Sequence, residues 1–274
     1  NLNDLKVHPH DNPVRDTVLI VRGLDRSGKE LFVDHSDPFG RMQPPPAQPA
    51  IESVKIREDG ALLINGEPRF LTGATHQHIR MPHTIPRIAQ LGLMGHRLTQ
   101  GMKNEEMLEM FTKYHLYCLQ AKPDPSLAGT APVTSMTPQQ KKNFEAWIAQ
   151  GGMKNVVSIN TGGWEATIDF HDPKQVAAAK AINEYIHKVA NRPTCISTSG
   201  AYNAWWLNEL TIYDINQAET EMWGPMDFNT IFTPYMKKAG KVTAWAYLPQ
   251  LYDNTPYERY RFETYENIVR GSCG

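Results

Sequence analysis

The sequence predicts an α/β fold, a (β/α)8 TIM-type barrel over residues 51–274, preceded by a short β-rich segment over residues 1–50. Three observations predict it. From residue 51 onward, short apolar runs of strand type alternate with amphipathic runs of helical period, and repeated βα units build a parallel sheet. No GxGxxG or GxxxxGKS/T pattern follows any strand-like run, which removes the main support for a dinucleotide or P-loop fold and leaves the barrel. Pro44, Pro45, Pro46 and Pro49 form a stiff linker just ahead of the alternation, which puts a boundary near residue 50.

The elements follow in order. Thr17–Arg22 and Glu30–Val33 are β-type runs joined by the polar loop DRSGK, a hairpin pattern. One hairpin does not make a stable domain, so residues 1–50 read as the end of an upstream sandwich-like domain or a decoration on the barrel. IESVKIREDGALLINGEPRFLTGATH gives three strands separated by Glu58-Asp59-Gly60 and Asn65-Gly66; Asn-Gly between apolar runs is a strong hairpin signal. A helix over 84–91 stops at Gly92, and MGHRLTQ is the next strand. Asn104 caps a helix with Met107, Phe111 and Tyr114 on one face. LYCLQA is a strand. Thr137-Pro138 opens a helix that turns Phe144, Trp147 and Ile148 inward. NVVSIN is a strand, and Asp172-Pro173 opens a helix with Ile182, Tyr185, Ile186 and Val189 on one stripe. TCISTSG is a strand, AWWLNELTIYDI a strand followed by a loop, FNTIFTPYMKKAG a helix ended by Gly240, KVTAWAYL a strand, and TPYERYRFETYENIVRG a last helix. That is about seven βα units. The sequence reaches RGSCG where an eighth strand should begin, so the expectation is either a piece of a longer multidomain protein, the favoured reading, or a barrel whose last strand is missing or replaced.

The totals exclude several classes. Apolar residues are 41% and charged residues 21%, an ordinary globular balance rather than a disordered one. The 28 basic and 29 acidic residues give a net charge of -1, so no basic excess marks the chain for nucleic acid or an anionic membrane. No apolar run approaches the roughly 20 residues of a membrane span. Cys118, Cys195 and Cys273 match no zinc or redox spacing and read as small buried hydrophobes. No cofactor is expected.

VKIREDGALLINGEPRFLTGATHQH resembles the start of the barrel in family 2-type glycoside hydrolases and their relatives. There a hairpin carrying "INGKP" leads into a first strand that ends beside a histidine. GHRL is similar to the "N-x-x-R" second strand of that clan, NVVSINTGGWEATI to its "W-x-x-x-N-E" fourth strand, and NRPT followed by CISTSG to the stretch after it. The segment from Gly240 to Gly274 resembles the seventh strand and helix of such barrels. The resemblance covers residues 51–274 as an order of elements. It implies a retaining β-glycosidase acting on a β-linked oligosaccharide or polysaccharide. Glu165 would be the acid/base, Arg97 the arginine supporting the nucleophile, and the compartment extracellular or periplasmic. The sequence departs from the clan at two places. The aligned pair is Trp164-Glu165 instead of Asn-Glu, and KVTAWAYLPQ offers no carboxylate at the seventh strand.

Glycoside hydrolysis uses two carboxylates, about 5–5.5 Å apart in retaining enzymes, and a barrel places them at the C-terminal ends of its strands. Glu165 follows an apolar strand and two glycines and adjoins a tryptophan, which suits sugar stacking and desolvates a carboxyl. Its ordinary alternative is a loop glutamate in a salt bridge. Glu209, in the literal Asn208-Glu209, ranks second; Glu221, with Glu219 and Asp214, completes the carboxylate candidates. Arg97, His76, His78, Trp164, Tyr213, Trp245 and Tyr247 are expected to line the substrate site, because aromatic rings and fixed polar groups bind sugar faces and hydroxyls. Two alternatives stand beside the glycosidase. One is a non-catalytic glycan-binding or structural barrel without a nucleophile. The other is a metal-dependent amidohydrolase-like barrel using the His76-x-His78 pair. That second fold also needs histidines at later strand ends, and none ends the predicted fifth or sixth strand.

Overall fold

The structure is a computed structural model that describes residues 20–35, 49–74, 88–89, 92–97, 104–121, 133–161, 168–199, 211–219, 233–246, 265, 268–269 and 271–274. The chain divides into two compact units, Asn1–Pro45 and Pro46–Gly274.

In the first unit β1 (Ile20–Leu24) pairs antiparallel with β2 (Glu30–His35). Asp25 shapes the turn: its Oδ1 accepts from the Ser27 N–H at 2.8 Å, the Ser27 hydroxyl at 2.6 Å and the Lys29 N–H at 3.0 Å. β1 extends to Leu24, further than the apolar run suggests; Gly23 pairs with Phe32, and a Cβ at Gly23 would come within 2.2 Å of the Phe32 ring.

The second unit begins with an antiparallel meander, β3 (Val54–Ile56), β4 (Leu62–Ile64) and β5 (Glu67–Pro68). Asn65 (φ 53°) and Gly66 (φ 84°) both take left-handed backbone, as a two-residue primed turn requires. The Asn65 side chain also receives the Glu52 and Ser53 N–H groups and donates to the Ala50 carbonyl, so one residue fixes both the turn and the incoming chain.

Among the described residues seven parallel strands follow in chain order. β6 (Gly73–Ala74), β7 (Gly95–Arg97) and β8 (Tyr117–Gln120) form one ladder; β9 (Ile159–Asn160), β10 (Thr194–Ser199), β11 (Ile215–Glu219) and β12 (Val242–Ala246) form the next. Parallel bridges Cys118↔Val156 and Ala121↔Ile159 join β8 to β9. Cys273 donates its N–H to the Thr243 carbonyl of β12, and its own carbonyl accepts from the Leu71 N–H just ahead of β6.

Between the strands run α1 (Asn104–Lys113), α2 (Pro138–Ala149) and α3 (Pro173–Ala190). Thr137 caps α2 in a reciprocal capping box with Gln140, and Asp172 caps α3 through the Lys174 N–H. α3 ends at Asn191 in left-handed backbone. Phe111, Phe144, Ile182 and Ile186 press against Cys118, Val156 and Ile159 on the outer face of the sheet. Ile88 and Ala89 are helical, and Gly92 (φ 72°) ends that turn by bonding back to Ala89. Residues 233–238 form a helical segment before Gly240 (φ 70°).

A second core fills the space between the meander and the strand starts. Ile51, Val54, Leu62 and Ile64 pack on Tyr117, Val157, Cys195, Ile215 and Val242, which begin or lie near the beginnings of β8 to β12. The meander therefore covers the N-terminal side of the sheet. Arg192 ties it down: its guanidinium donates to the carbonyls of Val156 (2.9 Å), Ile51 (2.6 Å), Glu52 (3.3 Å) and Asn191 (3.1 Å). Among the described residues no helix is long and apolar enough to cross a membrane.

Candidate functional site

The inner side chains change character along the strands. Near their N-terminal ends they are apolar: Tyr117, Val157, Cys195 and Ile215. Toward the C-terminal ends they become polar and stay buried: Gln120, Asn160, Ser197 and Gln217. Gly73 and Gly95 make room for Leu119, whose methyl groups would lie 2.3 Å and 2.9 Å from a Cβ at those positions. Buried polar groups are costly without partners, so a polar layer at one end of a parallel sheet marks that end for binding.

The Gln120 Nε2 donates to the Gln217 Oε1. These residues sit on β8 and β11, with β9 and β10 between them. In a flat sheet such strands stand roughly 14 Å apart, too far for two upright glutamines to meet. The contact therefore requires the sheet to curl around its inner face. Gln120 reaches that face through an irregularity in β8: His96 pairs with Cys118 but Arg97 with Gln120. The added residue turns both Leu119 and Gln120 inward, which simple alternation forbids.

The last residues of the parallel strands are Ala74, Arg97, Gln120, Asn160, Ser199, Glu219 and Ala246. Among the described residues Glu219 is the one carboxylate in such a position, in register with Ser199 and Ala246. Arg97 ends β7 in register with Gln120, and Trp245 lies on β12 in register with Ala218.

The described residues on either side of positions 162–167 are held by side-chain hydrogen bonds. The Thr161 hydroxyl donates to Asn183 Oδ1 at 2.6 Å, and the Asn183 amide donates to the Ile212 carbonyl at 3.0 Å. Downstream, Gln175 Oε1 accepts from the Asp169 and Val133 N–H groups, and Ile168 and Phe170 are buried. Trp164 and Glu165 fall between these anchors and lie outside the described residues, as do His76, His78, Glu209, Glu221 and Tyr247.

Three expectations need correction. The sixth parallel strand is Ile215–Glu219, and residues 211–214 form a turn ahead of it, so Glu209 precedes that strand in sequence instead of lying at its end. The strand carries buried Asn216 and Gln217, and so lacks the apolar pattern that marks a strand in a sequence. Tyr213, expected at the substrate, is fully buried at the foot of β11 among Ile168, Phe170, Ile196 and Met236. Burial raises its phenol pKa, and the hydroxyl has no hydrogen-bond partner among the described residues.

Asp214 is also at the foot of β11, away from the strand ends that carry the polar layer. Its carboxylate accepts from the Thr194 N–H (2.7 Å) and hydroxyl (3.1 Å), His187 Nε2 (2.5 Å) and Lys241 Nζ (2.6 Å). Burial, the largest single influence, opposes ionisation. The hydrogen bond from His187, the Lys241 charge and hydrogen bond, and the Thr194 N–H together outweigh it and lower the pKa to about 2. Asp214 is a structural tie, not a catalytic candidate.

Sequence reasoning missed Gln120 and Gln217. The available signal for Gln120 was an amide inside LYCLQA, a polar residue within a run that otherwise reads as sheet; INQAE, with three polar residues in five, offered no such signal for Gln217. Among the described residues no group of three or more His, Cys, Asp or Glu could hold a metal ion.

No protein-family model matches the chain, and no curated protein matches it. Solved structures do. The Ruminococcus gnavus β-glucuronidase is 12% identical, with 85% of this chain and 50% of that chain covered, at a TM-score of 0.52. Saccharomyces cerevisiae Gas2p in complex with laminaripentaose is 13% identical over 77% of this chain and 58% of that one, at 0.52. The FMN-binding β-glucuronidase from Facaelibacterium prausnitzii L2-6 is 12% identical over 84% and 36%, at 0.50. The chain thus spans between about a third and three fifths of the lengths of these neighbours. The likeness is one of fold: the chain shares the parallel α/β architecture of glycoside hydrolase TIM barrels.

Proposed function

We propose that the chain is the barrel of a carbohydrate-active hydrolase of the retaining β-glycosidase type, acting on a β-linked glycan. The observation that carries this reading is the inner face of the parallel sheet, apolar at its N-terminal end and polar at its C-terminal end, where barrel enzymes build their sites. The reading includes a (β/α)8 barrel with Cys273 in the place of an eighth strand. β-Linked substrates are supported by the resemblance in sequence and by neighbours that are β-glucuronidases or hold laminaripentaose. An extracellular or periplasmic setting belongs to the same proposal.

In this reading Glu165 protonates the leaving glycosidic oxygen and then activates water, while a second carboxylate attacks the anomeric carbon. Glu219 and Glu221, at and just past the end of β11, and Glu209, between β10 and β11, are the candidates for the second role. Arg97, His76, His78, Trp164, Trp245 and Tyr247 are proposed to line the substrate. The test is hydrolysis of 4-nitrophenyl β-glycosides. Glu165→Gln is expected to lower the rate by about 10²–10⁴-fold, the usual worth of a general acid. A rate unchanged in Glu165→Gln overturns the acid/base assignment.

A second reading is a glycan-binding barrel without catalysis. The ending of β12 in Trp245-Ala246, with no carboxylate on that strand, favours it. It requires wild-type protein that binds β-glycans and hydrolyses none.

A further inference from the structure

Gln120 is a poor choice for a purely structural position. It is 6% exposed, and while its Nε2 donates to Gln217, its Oε1 is buried with no hydrogen-bond partner among the described residues. An unsatisfied buried acceptor costs free energy that a methionine of similar volume would avoid. The irregularity in β8 adds to this: with regular alternation from Tyr117 onward, Gln120 would face the outer layer together with Cys118. Irregular pairing that re-aims a side chain is a recurrent device beside binding sites. Gln120 also ends β8, at the polar end of the sheet.

We infer that Gln120 is a ligand-reading residue, whose Oε1 accepts a hydrogen bond from one hydroxyl of a sugar entering at the C-terminal end of the strands. This inference rests on the carbohydrate reading above and names its specificity element. Gln217 fixes the amide: by accepting from Nε2 it leaves Oε1, an acceptor only, to face the ligand. The site thus selects a donor group at that position and rejects a ligand that brings a bare carbon or an acceptor there. A site built to bond a hydroxyl discriminates against the analogue lacking it more strongly than an apolar pocket does.

The experiment is calorimetric titration of wild type, Gln120→Met and Gln217→Met with 4-nitrophenyl β-glucoside, β-galactoside, β-xyloside and β-glucuronide and with laminaripentaose. The monodeoxy forms of whichever glycoside binds are titrated next. For wild type, one monodeoxy analogue should bind at least about tenfold more weakly than its parent, the worth of one hydrogen bond. In Gln120→Met the parent should weaken by the same factor and that analogue should weaken no further, with the melting temperature held or raised. Gln217→Met keeps the acceptor and should keep a preference for the parent. Equal binding of the parent to wild type and Gln120→Met overturns the inference and leaves the carbohydrate reading standing. So does a wild type that binds every monodeoxy analogue as it binds the parent, a result that needs no variant to fold. A wild type that binds none of these glycosides overturns the carbohydrate reading, and the inference with it.

Discussion

Replacing Asp214 by Asn removes a charge from the most heavily bonded carboxylate described in the chain while keeping its shape. Asn can still accept from the Thr194 N–H through its oxygen, but Lys241 and His187 then face a neutral amide. Losing charge-assisted bonds of this kind costs about 1.5–3 kcal/mol, and Lys241 is left partly buried without its counter-charge, so the expected destabilisation at neutral pH is about 3 kcal/mol. The dependence on pH follows from the depressed pKa. A carboxyl with a folded pKa near 2 and an unfolded value of about 3.9 stabilises the fold fully above the unfolded value. That contribution fades as pH falls from about 4 through about 2. The window of nearly two pH units corresponds to about 2–3 kcal/mol. Urea unfolding followed by tryptophan fluorescence at pH 7, 5, 4, 3 and 2.5 measures it. The gap between wild type and Asp214→Asn should hold from pH 7 to 5 and narrow steadily below 4. A gap under about 0.5 kcal/mol at pH 7, the ordinary scatter for surface changes, or a gap that stays constant between pH 4 and 2.5, refutes the reasoning.

Three other outcomes follow from the geometry. In Gly95→Ala the new Cβ would lie 2.3 Å from the Tyr117 carbonyl oxygen, a backbone atom of the adjacent strand that cannot swing away; a loss of about 2–3 kcal/mol in urea unfolding is expected, and a neutral result would show that β7 sits elsewhere. Arg192→Met should cost about 3 kcal/mol by leaving the Val156, Ile51 and Glu52 carbonyls without their donor, and hydrogen exchange should quicken across the meander before it does in α3. Cys118, Cys195 and Cys273 are all buried, and burial pushes the Cys273 thiol up to about 12, so Ellman's reagent should titrate no thiol in the native chain and three after denaturation.

The parts legible in the sequence were those fixed by local chemistry. Thr137, Asp172, Asn65-Gly66, Gly92 and Gly240 each act on backbone within a few residues, and each sits at the expected turn or helix end. The same holds for the apolar stripes of α2 and α3, where Phe144, Ile182 and Ile186 are buried as their spacing requires. The sixth strand was misplaced because INQAE hides its sheet character behind two buried amides, while the sequence AWWLNEL ahead of it carries the apolar pattern expected of a strand. Tyr213 was misjudged for a related reason: a tyrosine beside a strand reads equally well as a sugar platform or as core, and only packing decides. Gln120 and Gln217 meet across 97 residues of sequence, and no window of neighbours can register such a pair.

The bonds from Arg192 to the Ile51 and Glu52 carbonyls bear on the order of folding. They join points 141 and 140 residues apart, about half the length of the 274-residue chain. Loop closure on that scale is slow compared with forming α2 or α3 with their neighbouring strands. The meander would therefore lock late, after β8 to β10 have assembled. Until it does, the apolar N-terminal side of the sheet, with Val157, Cys195 and Ile215, stands open to water and to other chains. The meander's most consequential role is thus as a late-closing stopper, whose absence during folding exposes the surface most able to drive aggregation.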